Sequence, residues 1–209
     1  MSSIPVRECC LHVSLAEHLA AVQQLEAQLP IVESIARVIT NALCAGQKIL
    51  WCGNGGSAAD AQHLNAELVG RFRSERLPFA SLALTTDTSI LTAVANDYGY
   101  ESVFARQVQA LGNPGDVLVG ISTSGNSANV IAAIKAARSR GLVTIAFTGA
   151  AGGRLASLAD HSLHVNSLDT ARIQETHILA GHMLCEWIEA ALATEDLQSH
   201  RLAAASPAA

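Results

Sequence analysis

Two residues capable of acid–base chemistry lie close together in the first third of the chain. His63 and Glu67 are four positions apart in the segment "GSAADAQHLNAELV". An α-helix over this segment would place both side chains on one face. An imidazole beside a carboxylate can transfer protons or bind a metal ion. A single histidine is more often an ordinary surface or core residue, so the pair alone leaves both interpretations open.

A second candidate set lies near the C-terminal end, in "RIQETHILAGHMLCEW". Gln174 and His182 are eight positions apart, which places them about 80° apart around an ideal helix and so on roughly one side of it. His177 lies on the far side of Gln174 from His182. His161 and His164 fall in a weak strand pattern and are interpreted as structural.

Two turns rich in glycine and serine follow strongly apolar runs. "GNGGS", Asn54 to Ser57 with the glycine before it, follows "KILWC", and "STSGNS" follows "DVLVGI". Open parallel sheets bind ligands beyond the carboxyl ends of their strands, and exposed N–H groups, a helix N-terminus and short hydroxyls suit a phosphate. An ordinary turn with a helix cap is the other interpretation. Neither GxxxxGK[ST] nor GxGxxG is present, so no nucleotide cofactor is expected.

The elements that must position these groups alternate between strand and helix. Short apolar runs predict strands in "KILWCG", "FASLALTT", "DVLVGIST", "LVTIAFTG" and "SLHVN". Periodic apolar residues predict helices over 15–43 with an interruption at Pro30, and over 58–69, 89–95, 101–111, 127–140 and 171–193. The alternation predicts an α/β fold with a five-stranded, mainly parallel sheet flanked by helices. The expected division is an N-terminal helical segment 1–45, an α/β domain 46–196 and a disordered tail 197–209.

Composition excludes several classes of protein. The 209 residues include 13 Lys+Arg against 18 Asp+Glu, and no basic run occurs, which argues against nucleic-acid binding. The N-terminus holds no apolar segment of signal-peptide or membrane-span length. The five cysteines (Cys9, Cys10, Cys44, Cys52, Cys185) lack metal-type CxxC spacing and suit reduced thiols. A cytoplasmic protein without membrane or nucleic-acid partners is therefore expected.

Four segments together resemble the phosphoheptose isomerases, the sedoheptulose 7-phosphate isomerase branch of the sugar isomerase (SIS) fold. They are "CGNGGSAADAQHLNAELVGR", "TTDTSILTAVANDYGY", "GDVLVGISTSGNSANVIAAI" and "TARIQETHILAGH", and the likeness runs from about residue 35 to 195. The resemblance implies a three-layer SIS domain preceded by the helical segment. It also implies an isomerase that converts sedoheptulose 7-phosphate to D-glycero-D-manno-heptose 7-phosphate through an enediol, the first step of activated-heptose biosynthesis.

The same resemblance implies roles for individual residues. Glu67 and His182 match the acid/base pair of the family. One zinc ion per subunit is implied at His63, Glu67, Gln174 and His182. The implied substrate-binding residues are Asn54, Gly55, Gly56, Ser57, Asn96, Asp97, Ser122, Thr123, Ser124, Ser127 and Gln174.

Assembly and an alternative function follow from the same comparison. The family forms homotetramers, and the helices from Leu15 to Leu43 either build a subunit interface or pack on their own sheet. A non-catalytic relative that associates with the bacterial replication initiator shares "ARIQE" but lacks the carboxylate and histidine found here at Glu67 and His182. Catalysis is therefore favoured, and a non-catalytic phosphosugar-binding or replication-initiator-associating protein is the alternative. Ala171 replaces an aspartate of some isomerases, which leaves the role of Asp169 open.

Overall fold

Five parallel strands form the centre of the molecule, as seen in a computed structural model that describes residues 9–192. In sheet order they are β2, β1, β3, β4 and β5, and every neighbouring pair is parallel. The bounds are β1 Ile49–Gly53, β2 Ser81–Ala83, β3 Val117–Ser122, β4 Val143–Gly149 and β5 His161–Val165. Every residue of β1 and β3 is buried, which explains why both strands read as unbroken apolar runs. The predicted five-stranded α/β fold is confirmed.

Eight α-helices of the described chain surround this sheet. They are α1 Cys9–Leu25, α2 Leu29–Cys44, α3 Gly56–Val69, α4 Thr88–Tyr98, α5 Val103–Leu111, α6 Ala128–Ser139, α7 Gly153–Leu158 and α8 Thr170–Leu192. Trp51 and Val119 face the layer that contains α2, α3 and α8. Leu50 and Leu118, their neighbours along the strands, face the layer that contains α5, α6 and α7. Successive side chains along each strand thus point to opposite faces of the sheet and pack into two separate cores, which gives three layers.

The N-terminal helices behave differently from each other. A short 3₁₀ turn, Glu26–Gln28, separates them, and Pro30 lies in the first turn of α2, where its missing N–H costs nothing. Ile35 and Ile39 of α2 are fully buried in the core. On α1, by contrast, Leu15 and Leu19 are 57% and 58% exposed. Of the two alternatives for this segment, packing on the protein's own core holds for α2.

Several boundaries differ from those predicted. α7 was missed, because a six-residue helix carries too little periodicity to be recognised. The helix predicted from residue 101 begins at Val103, after the 3₁₀ turn Tyr100–Ser102. The predicted tail 197–209 and the end of the predicted domain lie outside the described residues. Within residues 9–192, no helix combines the length and the apolarity needed to cross a membrane.

Candidate active site

The first part of the site is the glycine turn that joins β1 to α3. Gly55 has φ +56°, a conformation that favours glycine. A Cβ on Gly53 would stand 2.6 Å from the carbonyl oxygen of Ser57, so this position has no room for a side chain. The Ser57 N–H donates to the carbonyl of Asn54 at 3.0 Å and closes the turn. The turn therefore starts α3 directly at the carboxyl end of a central strand, where ligands bind in such sheets.

Three of the four predicted metal ligands converge beyond that turn. Nε2 of His63 on α3 lies 2.8 Å from Nε2 of His182 on α8, and 3.4 Å from Oε1 of Glu67. The candidate ligand atoms of all three residues lie within 4.8 Å of one another. Sequence spacing predicted that His63 and Glu67 share a face, whereas only the packing of α3 on α8 brings His182 to them.

The environment of His182 favours its neutral form. Its ring lies edge-on to that of His63, with 5.0 Å between centroids, and stacks with Phe72 at 5.5 Å. Partial burial and the nearby His63 lower the pKa of His182 below its usual value, while Glu67 opposes that shift. Phe72 was not among the predicted site residues, because nothing in "GRFRSERLP" indicates that this loop folds back onto α8.

A further carboxylate lies on the same helix. Burial raises the pKa of Asp60 to about 6, and the nearby His63 partly offsets that shift. Within the described residues, its Oδ2 is buried without a hydrogen-bond partner. Asp60 sits one turn before His63 and was not predicted as part of the site.

The amide of Gln174 lies against the glycine turn. A Cβ on Gly56 would stand 2.4 Å from Nε2 of Gln174, so the amide occupies the space that a side chain at position 56 would need. Along α8, Gln174 precedes His182 by two turns, or about 12 Å. This position fits the predicted contact with substrate, and the role of Gln174 as a metal ligand stays a prediction.

The serine-rich loop after β3 forms the opposite wall. Oγ of Ser122 lies 2.8 Å from Oγ of Ser127 and 3.5 Å from Oγ of Ser124. The loop leads into α6, whose N-cap residue is Ser127. Thr123 and Ser124 line a cavity of about 190 Å³, whose other lining residues are Ala150, Ala151, Ser167, Leu168, Thr170 and Ile173. Hydroxyls and N–H groups at a helix N-terminus can surround a phosphate here.

The two loops are joined by an amide pair. Nδ2 of Asn54 donates to Oδ1 of Asn129 at 2.8 Å, and Nδ2 of Asn129 donates back to Oδ1 of Asn54 at 2.8 Å. The hydroxyl of Tyr100 also donates to Oδ1 of Asn54, at 3.1 Å. Asn129 and Tyr100 were not predicted, although the segment "SGNSAN" contained the former. This network fixes the glycine turn relative to α6 and to the end of α4.

The predicted sugar contacts on α4 are exposed. Nδ2 of Asn96 donates to Oδ1 of Asp97 at 2.8 Å. Both residues lie in the last turn of α4, just before Gly99 and Tyr100. Tyr100 brings this end of α4 towards the glycine turn, and the contact of Asn96 and Asp97 with a sugar stays a prediction.

The fold and this site define a class of protein that binds sugar phosphates at the edge of a SIS-type sheet. The SIS domain family model matches residues 15–149. A phosphoheptose isomerase from Roseiflexus sp. (strain RS-1) is 58% identical over 171 residues, which cover 82% of this chain and 87% of that protein. A phosphoheptose isomerase from Rhodospirillum rubrum is 56% identical over 163 residues, which cover 78% of this chain and 87% of that protein. This chain belongs to the phosphoheptose isomerase family of SIS-domain proteins, as its sequence motifs predicted.

Solved structures agree with this assignment. The phosphoheptose isomerase GmhA from Neisseria gonorrhoeae is 50% identical, with a TM-score of 0.82, and the match covers 86% of this chain and 97% of that one. A phosphoheptose isomerase from Francisella tularensis is 37% identical, with a TM-score of 0.78, and the match covers 85% of this chain and 97% of that one. More distant structures, such as the Vibrio vulnificus NanR protein at 16% identity and a TM-score of 0.62, share the fold alone.

Proposed function

We propose that this chain isomerises sedoheptulose 7-phosphate to D-glycero-D-manno-heptose 7-phosphate, with Glu67 and His182 as its acid/base pair. The observation that carries the proposal is the convergence of these two residues, from different helices, in one cluster with His63. The names of relatives that are 56% to 58% identical support the reaction. This step opens the route to activated heptose.

The reaction moves a proton between C1 and C2 of the sugar and shifts the carbonyl from one carbon to the other. Glu67 is the base that carries the proton between the two carbons. His182, kept neutral by its lowered pKa, holds a proton on its ring and donates it to the C2 oxygen as the enediol forms; it takes the proton of the C1 hydroxyl as the enediol collapses to the aldose. The Glu67 carboxylate and the His182 imidazole lie next to each other. A single enediol can therefore form and collapse without leaving the site.

The phosphate binds at the serine-rich loop. Ser122, Thr123, Ser124 and Ser127 supply hydroxyls at the N-terminus of α6, where the helix dipole also favours an anion. Asn54, Gly55, Gly56 and Ser57 form the opposing wall, to which Gln174 adds an amide.

Zinc fits the cluster of three residues and is part of this proposal. Two histidine nitrogens on one tetrahedral zinc ion stand about 3.3 Å apart, close to the 2.8 Å between His63 Nε2 and His182 Nε2. His63, Glu67 and His182 would hold the ion, with Gln174 as the proposed fourth ligand. When bound, zinc supplies Lewis-acid polarisation of a sugar oxygen. Glu67 and His182 are thus proposed both as the acid/base pair and as ligands of the ion.

A homo-oligomer, expected to be a tetramer, belongs to the same proposal. Leu11, Leu15 and Leu19 of α1 are all more than half exposed, which is costly for apolar side chains unless another surface covers them. We propose that α1 forms part of a subunit interface. Sedimentation of the double variant Leu15→Glu/Leu19→Glu should give a smaller species than the wild type, and an unchanged mass would contradict this interface. A cytoplasmic location stays a prediction, testable by cell fractionation.

The function is tested with purified protein and sedoheptulose 7-phosphate. Wild type should produce the aldose phosphate, while Glu67→Gln and His182→Ala should lower kcat by about 10²- to 10⁴-fold. Glu75→Gln is the matched control, because Glu75 is an exposed carboxylate in the loop after α3. Absence of turnover by the wild type, with and without zinc, would contradict the isomerase and favour the non-catalytic alternative.

A further inference from the structure

The segment between α3 and β2, residues 70–78, is held by a buried ion pair. Nε of Arg76 lies 3.1 Å from Oε2 of Glu189 on α8, and the two side chains are only 3% and 5% exposed. Charges at this depth are costly unless their hydrogen-bonding groups are satisfied. Apolar residues of similar size often stabilise a protein equally well at such positions. Stability alone therefore does not account for this pair, whereas its effect on the geometry of residues 70–78 does.

The carboxylate of Glu189 organises the start of the segment. Its Oε2 accepts from the backbone N–H of Phe72 at 3.0 Å, and its Oε1 accepts from that of Arg73 at 2.9 Å. The N–H of Ser74 donates to the same Oε1. Burial acts to raise the pKa of Glu189, but these backbone donors and Arg76 outweigh it and keep the pKa below its usual value. Three successive N–H groups thus take their positions from one side chain of α8.

The guanidinium of Arg76 organises the end of α3. It donates to the carbonyl of Leu68 at 3.0 Å, which also accepts from the N–H of Phe79, and to that of the C-cap residue Gly70 at 3.3 Å. Its Nη2 donates to the carbonyl of Glu67 at 2.7 Å. Arg76 therefore contacts the backbone of the proposed base directly.

The result of this arrangement is the placement of Phe72. Its ring stacks with His182 at 5.5 Å between centroids and 25° between planes, and the ring of His63 makes an edge contact with the same imidazole. An imidazole rotates about χ2 over a broad range unless its neighbours restrict it. Phe72 restricts that rotation, and the Arg76–Glu189 pair holds Phe72 where it can do so.

We propose that Phe72 is a positioning residue for His182, docked on the imidazole by the Arg76–Glu189 ion pair. The inference rests on the proposed role of His182 and adds to it a specific requirement. Phe72 orients the ring of His182 so that its proton-carrying nitrogen faces the reacting sugar. Losing this contact should lower kcat while leaving the binding of the phosphate, and hence KM, nearly unchanged.

The test compares Phe72→Leu, Phe72→Tyr and Leu142→Ala in the isomerase assay, with thermal melting of each. Leu142 is buried just before β4, in the layer on the other face of the sheet from α3 and α8, so its truncation lowers stability without touching the site. Phe72→Leu should lower kcat by about tenfold or more, because small misplacements of catalytic groups have effects of that size. Phe72→Tyr, which keeps the ring, should restore most of kcat. Leu142→Ala should melt earlier and keep the wild-type kcat.

Unchanged kcat in Phe72→Leu, or an equal drop in Leu142→Ala, would overturn the inference. Adding Phe72→Leu to His182→Gln tests whether Phe72 acts through His182. A residue that acts through His182 has little further effect on kcat once the imidazole is gone. If His182→Ala keeps full activity, the proposed role of His182 fails. If His182→Ala is inactive but Phe72→Leu is normal, only the positioning role fails.

Glu189→Gln tests the ion pair itself, with Glu75→Gln as its control in the same segment. The amide keeps the size of Glu189 but weakens its hold on the three backbone N–H groups. We expect a lower kcat in Glu189→Gln, measured below its melting temperature, and no change in Glu75→Gln. A folded Glu189→Gln protein with wild-type kcat would show that Phe72 needs no such support.

Discussion

Gly181 on α8 packs directly against Leu64 on α3, so closely that a Cβ at position 181 would lie 2.5 Å from Cδ2 of Leu64. Leu64 is completely buried and has little room to move. His182 follows Gly181 on α8, and His63 precedes Leu64 on α3. The 2.8 Å between the two imidazole nitrogens therefore depends on the absence of a side chain at Gly181.

Gly181→Ala should separate the two helices and weaken the site. Overpacking of this kind costs about 1–3 kcal/mol, against which the better helix propensity of alanine returns roughly 1 kcal/mol. The free energy of unfolding should thus fall by about 0–2 kcal/mol, while kcat/KM falls about tenfold or more, since the catalytic groups are displaced. The second change Leu64→Val removes the clashing methyl groups and should recover part of the activity. A double variant no better than Gly181→Ala would refute this account.

Gly56→Ala should act on Gln174 without disturbing the fold. The new Cβ would overlap the Gln174 amide, which is the mobile end of a side chain and can rotate away. The predicted result is a melting temperature near that of the wild type and a raised KM, because the amide no longer lines the glycine turn. Kinetics with the heptose phosphate measure the effect, and Gln174→Ala should reproduce it. Wild-type KM in Gly56→Ala would show that Gln174 has no part in binding substrate.

The sequence predicted the parts of this site that depend on local order and missed those that depend on how helices cross. Apolar runs located the strands, and the four-residue spacing of His63 and Glu67 put them on one face of α3. The packing of α3 on α8, which includes the contact of Gly181 with Leu64, determines that His182 meets them. Phe72 could not have been predicted, because its place depends on Glu189, 117 positions later. The role of Asn129 could not be predicted either, because its amide meets that of Asn54 only in the folded protein.

Zinc should bind to the wild type and to His12→Ala but not to His63→Ala or His182→Ala. His12 lies on the exposed surface of α1 and serves as a matched histidine control. Since zinc would bind the folded state through two helices, a concentration a hundred times Kd should stabilise the protein by about 2.7 kcal/mol. Calorimetric titration and thermal melting, with and without a chelator, measure the two effects. Equal zinc binding by His63→Ala and the wild type would place the ion elsewhere.

His177 should make the protein sensitive to mild acid. Its ring is fully buried, and its Nε2 lies 3.1 Å from the carbonyl of Thr148. Burial lowers the pKa of His177 to about 4, although the bond to Thr148 opposes the shift. The unfolded chain takes up this proton near pH 6.5, so between about pH 6.5 and 4 it binds more protons than the folded protein. The contribution of His177 to stability is therefore intact above pH 6.5 and is lost as the pH falls through that window.

The size of this effect can be isolated by substitution. The free energy of unfolding of the wild type should fall by roughly 2–3 kcal/mol more between pH 7.5 and pH 4.5 than that of His177→Gln, which has no titrating ring. Glutamine can still donate to the carbonyl of Thr148, so the variant should fold. Carboxylates such as Glu189 titrate in both proteins and cancel in the comparison. Denaturant unfolding at the two pH values gives the difference, and parallel pH dependences would mean that His177 is already protonated in the folded protein or does not titrate on unfolding.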